Sequence, residues 1–331
     1  MQHQLALSEI FRYSKALSDN LDTKLDDHVD SSSKLSIDQC LEISIDDGII
    51  AKHEHLADFI KIEQQAHKII LTLVKPIVQI IKIKHNGTIS RPLFFEISVS
   101  CQIIEEVATA QAQIETIFNI HDNVDFSHNL LNAGQNWANR YLSQVIINNH
   151  ARYTNNILNL QCHKLQVILH IELNGINAHC DNHILNYARK NNNLDTLLLI
   201  AHNNSHSTSH TTSHAIAEDQ ATTSMLGKIY VKDNVKQVTG DLQIKNLLCS
   251  AQATCNSRPQ LEIYSDDVKC SHGATTGSLS KEALYYMQSR GIDHELAKKL
   301  LLAAFIKKIM QNISILELKE HVYQLLNLSD E

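Results

Sequence analysis

The stretch KLQVILHIEL, residues 164–173, carries the pattern that decides the fold class. Every second residue from Leu165 to Leu173 is apolar, and successive side chains of a β-strand point to opposite faces of a sheet. The same alternation runs through LFFEISVSCQI, residues 93–103, and continues in GKIYVKD, DLQIKNLLCS and PQLEIYSDDVKC. The middle of the chain is therefore predicted to be rich in β-strands.

The spacing of these strands narrows the choice of architecture. Candidate strands lie near residues 165, 196, 227, 242 and 261, with short polar turns between them. A doubly wound α/β fold would alternate strands with helical patterns of roughly 10–15 residues, so that class is excluded. A β-sandwich, a β-barrel and a parallel β-helix all remain compatible with the periodicity, although the intervals are similar to those of a solenoid.

The two ends of the chain differ from the middle. Residues 1–85 contain no motif that can be assigned, whereas the pattern after Gly277 becomes helical. Ser280 and Asp293 are predicted helix N-caps, Gly291 follows the first helix, and a last helix is expected from Ile315 to Leu326. The stripe expected to be buried on the second helix consists of Leu296, Leu300, Ala303 and Ala304.

Composition excludes several classes of function. A formal net charge of −7 over 331 residues argues against nucleic acid as a partner, because phosphate binding needs a clustered basic surface. Seven scattered cysteines, an odd number, indicate reduced thiols and a cytoplasmic location. The sequence shows no signal peptide, and its most apolar stretch is broken by Lys75 and Pro76, so no membrane anchor is expected. With only nine glycines, positive-φ turns are expected at Asn and Asp.

Two motifs could suggest metal binding or acid–base catalysis, but an explanation without a functional role fits each of them better. His202, His206, His210 and His214 have the spacing of one helix face, but the Ser, Thr and Asn residues between them disfavour a helix, so a polar loop or edge is expected. Asp266 and Asp267 are adjacent, whereas glycoside hydrolysis needs two carboxyl groups about 5–10 Å apart across a cleft. The nucleophile-elbow, phosphate-loop and standard zinc motifs do not occur in the sequence.

Cys270 and His272 form the most specific pair of possible metal ligands. They are two residues apart near the end of a predicted strand, so both side chains can lie on one face. A thiolate and an imidazole suit zinc, iron or an iron–sulfur cluster, but two ligands do not complete a tetrahedral site. The remaining ligands would have to come from elsewhere, including another chain.

These residues lie within a longer resemblance. The segment RPQLEIYSDDVKCSHGATTGSLSKEALYYMQSRGI, residues 258–292, resembles the signature of the SufB/SufD family of iron–sulfur cluster assembly scaffolds, and SHTTSHAI, residues 209–216, resembles a second family segment. VKCSHGATT favours the SufD branch. The resemblance implies a mainly β protein, with a right-handed parallel β-helix over residues 86–277, a C-terminal α-helical domain over 278–331, and a reduced or degenerate N-terminal region over 1–85.

The resemblance also implies a function and partners. A SufD-like chain is expected to be a non-catalytic scaffold subunit that pairs with SufB through the β-helix and with the ATPase SufC through the C-terminal helices. His272, with Cys270 beside it, is the expected ligand for a transient iron–sulfur cluster or iron shared with the partner, and no permanently bound cofactor is expected. The alternatives are a carbohydrate-active β-helix enzyme and a stand-alone metal-binding protein.

Overall fold

The computed structural model describes residues 40–46, 49–52, 58–77, 79–86, 92–107, 112–133, 138–160 and 162–328. These residues contain nineteen strands followed by three helices. The strands are β1 (Leu41–Asp46), β2 (Ile49–Lys52), β3 (Ile60–Gln64), β4 (Ile69–Leu73), β5 (Ile81–His85), β6 (Leu93–Ile97), β7 (Cys101–Val107), β8 (Gln113–Ile120), β9 (Asp125–Ala133), β10 (Ala138–Ile147), β11 (Arg152–Leu160), β12 (Lys164–Leu173), β13 (His179–Ala188), β14 (Asn193–His202), β15 (Thr208–Ala217), β16 (Thr222–Val231), β17 (Val238–Leu248), β18 (Thr254–Ile263) and β19 (Val268–Ser278). The helices are α1 (Lys281–Ser289), α2 (His294–Met310) and α3 (Leu316–Leu325).

Successive strands alternate between two sheets. The ten-stranded sheet has the order β19-β17-β15-β13-β11-β9-β7-β5-β1-β2, and the nine-stranded sheet has the order β18-β16-β14-β12-β10-β8-β6-β4-β3. From β5 onward, each strand pairs in parallel with the strand two positions away in the chain. This topology confirms the parallel β-helix and removes the sandwich and barrel alternatives, while its right-handed sense remains the prediction made from the resemblance.

Parallel pairing begins upstream of residue 86. Strand β1 pairs in parallel with β5, and β5 pairs in parallel with β7, so one ladder runs from Leu41 into the middle of the protein. Strands β3 and β4 form an antiparallel pair in the same region. Alternation was hard to recognise here because each of these strands has only four to six residues. The part of the N-terminal region before residue 40 lies outside the described residues.

Apolar and amide columns fill the interior of the β-helix. Because neighbouring strands are in register, equivalent side chains stack from coil to coil; the rings of Phe95 and Phe118 lie 4.7 Å apart between their centroids. Buried Asn132, Asn159 and Asn186 form a ladder in which Asn132 Nδ2 donates to Asn159 Oδ1 over 2.9 Å and Asn159 Nδ2 donates to Asn186 Oδ1 over 2.7 Å. The ladder pairs the amide groups between its two ends, which would be costly to bury alone.

The turns use few glycines, as the composition predicts. Positive φ angles occur at Asn123, Asn177, Asp219 and Asn234, which confirms the expectation for Asn and Asp. Residues of other types adopt the same conformation, which composition did not predict. Those in turns between strands are His150, Lys190, His206 and Gln237.

The three helices follow the last strand, and α2 and α3 pack on the outer face of the ten-stranded sheet. The side chains of Ser280 and Asp293 cap α1 and α2, Gly291 has a φ of 86°, and α3 has the predicted bounds within one residue. Together with Ile104, Leu131, Leu158 and Leu185 of the sheet, residues of α2 and α3 form a second apolar cluster. The helical end is thus attached to the side of the β-helix.

The prediction that Leu296, Leu300, Ala303 and Ala304 form the buried face of α2 is wrong. Leu296 and Leu300 are 46% and 39% exposed, and the buried residues of this helix are Ala297, Leu302, Ile306, Ile309 and Met310. Apolar residues occupy almost every direction around α2, so helical spacing alone could not select the face. The sheet determines which face of α2 is buried, because the larger side chains near the C-terminal end of the helix pack against the apolar column of Leu131 and Leu158.

Candidate functional site

The β-helix ends in a coil that no further coil of the described chain covers. Strands β18 and β19 are the last strands of their sheets, and no residue between Thr254 and Ser278 is fully buried. Central strands differ sharply, because most residues of β13 are buried. The interior columns of the β-helix therefore reach the surface at this end.

Cys270 and His272 both lie on β19 and project in the same direction as buried residues of β17. Cys270 is paired with Gly240, and His272 is paired with Leu242, whose side chain is completely buried. Since residues paired in a parallel ladder point to the same side, both ligand candidates stand above the interior of the β-helix. The structure thus brings together the pair that was predicted from the sequence.

Their surroundings give the two side chains different properties. Cys270 is half-buried and packs against the apolar core, and burial raises the pKa of its thiol, although a backbone hydrogen bond at Gly240 opposes the rise. A Cβ atom at Gly240 would lie 3.3 Å from the Cys270 sulfur, so the glycine leaves space for it. His272 is exposed. A protected thiol therefore stands next to an accessible imidazole.

Polar side chains on both faces of β17 connect it to the terminal strands, with Asp241 on the outer face and Asn246 on the inner face. Asp241 accepts hydrogen bonds from Ser271 and, at 2.9 Å, from the amide of Gln243. Asn246 donates to Ser257 and Thr276, over 2.8 and 3.0 Å, and so connects β17 to both terminal strands. Sequence reasoning did not identify these residues. The signal for Asp241 and Gln243 was the series of polar side chains that alternates with apolar ones in β17, whereas Asn246 occupies a position of the apolar series.

The described part of the chain does not complete a metal site around the pair. As the side chains are placed there, no group of three His, Cys, Asp or Glu residues is arranged to hold a metal ion. Asp266 and Asp267 are exposed in the bend before β19 and do not face each other across a cleft in the described structure. A metal ion held by Cys270 and His272 would still require donors from outside the described residues.

The histidine series is distributed over two strands and a turn. His202 ends β14, where its ring contacts the hydroxyl groups of Ser207 and Ser209 at 2.8 Å each. His206 lies in the turn, while His210 and His214 belong to β15. The helix face does not form, as expected, but the series is not simply a polar loop, because His202 and His214 are buried.

The helical end presents apolar side chains to solvent. Helix α1 has no buried residue, and Tyr285 and Tyr286 are 75% and 61% exposed. Leu296 and Leu300 of α2 add to the exposed apolar area. None of the described helices combines the length and apolar character needed to cross a lipid bilayer.

Known proteins with related sequences share this region. The family model for the SufBD core domain of the SUF system for FeS cluster assembly matches residues 94–305. The iron–sulfur cluster assembly protein SufD of Escherichia coli is 34% identical over 151 residues, which cover 46% of this chain and 36% of that protein. An iron–sulfur cluster assembly SufBD family protein of Synechocystis is 32% identical over 130 residues, which cover 39% and 29% of the two chains.

The aligned regions are partial in both proteins, since the matched stretch spans about a third of the length of these relatives. The family match nevertheless covers more than half of the present chain and contains both Cys270 and His272. It also spans most of the coils whose parallel pairing defines the β-helix. The chain therefore belongs to the SufBD family of the SUF iron–sulfur cluster assembly system, on the SufD side of that family.

Proposed function

We propose that this protein is a non-enzymatic scaffold subunit that presents Cys270 and His272 as ligands to iron, alone or in a nascent cluster, during iron–sulfur cluster assembly. The observation that carries the proposal is the open last coil, where a thiol and an imidazole share one face and lack further ligands in the described chain. The cluster is cargo rather than a resident cofactor. A partner that covers this end would supply the missing ligands.

The open coil supports SufB as that partner. The outer edges of β18 and β19 carry backbone N–H and C=O groups with no neighbouring strand in the described residues, and such edges pair readily with strands of another chain. Stacking a second β-helix on this end would also bury the interior columns that end at Cys270 and His272. SufB, the other type of subunit in this family, provides a matching β-helix.

The helical end supports SufC as a second partner. Exposed Tyr285, Tyr286, Leu296 and Leu300 offer an apolar surface, and large aromatic side chains are common anchors of protein interfaces. Helix α2 is also fixed to the β-helix, because the carbonyl of Phe305 contacts His214 Nδ1 at 2.8 Å. A movement imposed on the helices by an ATPase would therefore reach β15 and the coils beside it.

The chemistry of the pair suits a site that forms only on assembly. A thiol with a raised pKa stays protonated and unreactive in the isolated chain, and an iron ion would displace its proton when it binds. The free state of the other six cysteines fits a reducing compartment such as the cytoplasm. His272 would supply the second ligand without having to leave its strand.

Anaerobic co-expression with SufB and SufC tests the proposal. Cys270→Ser and His272→Ala should leave the complex intact and lower the amount of iron and acid-labile sulfide by at least about tenfold, as expected for the loss of a ligand. His206→Ala, which changes an exposed imidazole in a distant turn, is the matched control.

Three results would contradict the proposal. Unchanged cluster yield in both variants would remove the ligand role, and loss of the complex would make the two residues structural. If the purified chain alone retained stoichiometric iron or zinc through Cys270 and His272, it would be a stand-alone metal-binding protein.

A further inference from the structure

Two of the nine glycines of the chain lie in the coil directly below the open end. Gly227 belongs to β16 and Gly240 to β17, and both are buried at positions that face the interior of the β-helix. Neither has a positive φ angle, so the backbone conformation does not require glycine at either position. Glycine inside a strand weakens the sheet, because it adds no side chain to the packing. The space that the two glycines leave is therefore the feature to explain.

The space beside Gly240 receives the sulfur atom of Cys270. A Cβ atom added at Gly240 would lie 3.3 Å from Cys270 Sγ and 3.3 Å from Ile229 Cγ2. Cys270 is paired with Gly240 in the ladder, and its side chain packs against the apolar core. Gly240 and Ile229 thus bound a recess that holds the sulfur inward from the open surface. The glycine sets the depth at which the thiol rests.

The two neighbours of this recess differ in their freedom to move. Ile229 is completely buried, so close-packed side chains of the core hold it in place. Cys270 belongs to β19, the last strand of its sheet, and no further coil of the described chain packs on it. A carbon atom 3.3 Å away is closer than the usual contact distance of about 3.5–4.0 Å, so one neighbour must give way if the recess is filled. Cys270 gives way, and its sulfur moves toward the open end.

Gly227 leaves space for a neighbour that cannot move in this way. A Cβ atom added at Gly227 would lie 2.7 Å from Leu242 Cδ2. Leu242 is completely buried, and in its column it lies between Thr211 of β15 and His272 of β19. A methyl group added at Gly227 therefore overpacks the core, which lowers stability. The two glycines provide a natural comparison between a neighbour that is free to move and one that is enclosed.

We infer that Gly240 is a positioning residue for Cys270: it provides the recess in which the sulfur rests in the isolated chain, and the thiol turns outward to meet iron. Rotation of the side chain between staggered positions makes this movement. A thiol held inward is shielded from reagents in solution until a partner covers the open end. The role toward iron rests on the proposed function, whereas the recess is a property of the isolated chain and can be tested there.

Alkylation of the full chain by iodoacetamide, followed for each cysteine by mass spectrometry, tests the recess. Gly240→Ala should raise the rate at Cys270 by at least about threefold, because an accessible thiol reacts faster than a shielded one. Its melting temperature should stay within about 2 °C of the unsubstituted chain, since the displaced sulfur moves into open space. Gly227→Ala should lower the melting temperature by more than this and leave the rate at Cys270 unchanged. Gly277→Ala, whose added Cβ atom meets nothing within 4 Å, is the matched control and should change neither quantity.

Two results would overturn this role of Gly240. An unchanged rate at Cys270 in Gly240→Ala would show that the glycine does not set the position of the sulfur. Faster labelling of the completely buried Cys162 and Cys180 as well, with a melting temperature as low as that of Gly227→Ala, would show a general loosening of the fold. Failure of the proposed function looks different: Cys270→Ser would leave the iron and acid-labile sulfide of the complex with SufB and SufC unchanged, while Gly240→Ala still raised the alkylation rate of the isolated chain.

Discussion

The middle coils and the last coil of the β-helix differ in whether their inward-facing polar side chains find partners within the chain. In the middle, the carboxylate of Glu105 is completely buried, and both of its oxygens have partners within the chain. In the last coil, Cys270 and His272 lie over the same interior with no further metal ligands from the described residues. A buried carboxylate of the middle coils thus finds all its partners within the chain, whereas the thiol and imidazole of the last coil are left open for a partner.

The network in the middle coils joins the two sheets through the interior. Glu105 Oε1 is 3.0 Å from His85 Nε2, and Oε2 is 2.8 Å from His128 Nε2 and accepts a hydrogen bond from Tyr141. His85, Glu105 and His128 belong to the ten-stranded sheet and Tyr141 to the nine-stranded sheet. Burial alone would raise the pKa of Glu105, but hydrogen bonds with His128 and His85 outweigh it and hold the pKa well below its usual range.

Removing this carboxylate should have the largest effect on stability. Glu105→Ala leaves two imidazoles and a phenol without their partner, and breaking such a buried network costs about 3–5 kcal/mol. Chemical denaturation should show this loss in the free energy of unfolding. Glu115→Ala, which removes an exposed carboxylate from β8, should change it by less than about 0.5 kcal/mol. Equal effects of the two substitutions would show that the buried network does not stabilise the fold.

The attachment of the helical end can be tested by two substitutions on α2. Ile306→Ala removes a completely buried side chain, so it should cost about 2–5 kcal/mol. Leu296→Ala changes a residue of the stripe predicted from the sequence and should cost less than about 1 kcal/mol, since the side chain is 46% exposed. The free energy of unfolding and the protease sensitivity of the helical end measure both. A larger loss at Leu296 would support the original stripe.

These two substitutions also show where sequence reasoning succeeds and fails. Alternation identifies strands such as β12 because its period of two is distinct, whereas α2 is apolar on most sides and only the sheet determines its buried face. The pair Cys270 and His272 was found because both ligands lie on one strand. Glu105 was missed, because its partners His85 and His128 lie on other strands, twenty or more residues away in the sequence.

Low pH should lower the free energy of unfolding, because the middle coils bury histidine side chains. Burial lowers the pKa of His202 to about 4, whereas an unfolded histidine has a pKa of about 6.5. Between these values the unfolded chain binds a proton that the folded chain does not, so stability falls as pH decreases through this window, by about 1.4 kcal/mol per pH unit. His214, whose pKa burial also lowers to about 4, acts in the same direction.

His202→Gln measures this contribution. The slope of unfolding free energy against pH between 4 and 6.5 should decrease, because the substitution removes a ring whose pKa burial lowers. Ser207 Oγ donates to the carbonyl of Asn204 at 2.8 Å, so it accepts from His202 Nδ1, and the neutral ring donates at Nδ1 and accepts at Nε2. A slope that is identical in the parent and His202→Gln would mean that this ring is charged in the folded protein.

The smallest effect on stability is expected at the open end. Its size distinguishes a functional residue from one that stabilises the fold. His272→Ala should change the free energy of unfolding by less than about 0.5 kcal/mol, because the ring is exposed and no coil of the described chain packs on it. Leu242→Ala, one coil deeper in the same column, removes a completely buried side chain and should cost about 2–5 kcal/mol. Denaturation of the isolated chain measures both. If His272→Ala were as destabilising as Leu242→Ala, the imidazole would be part of the fold, and the last coil would resemble the middle coils after all.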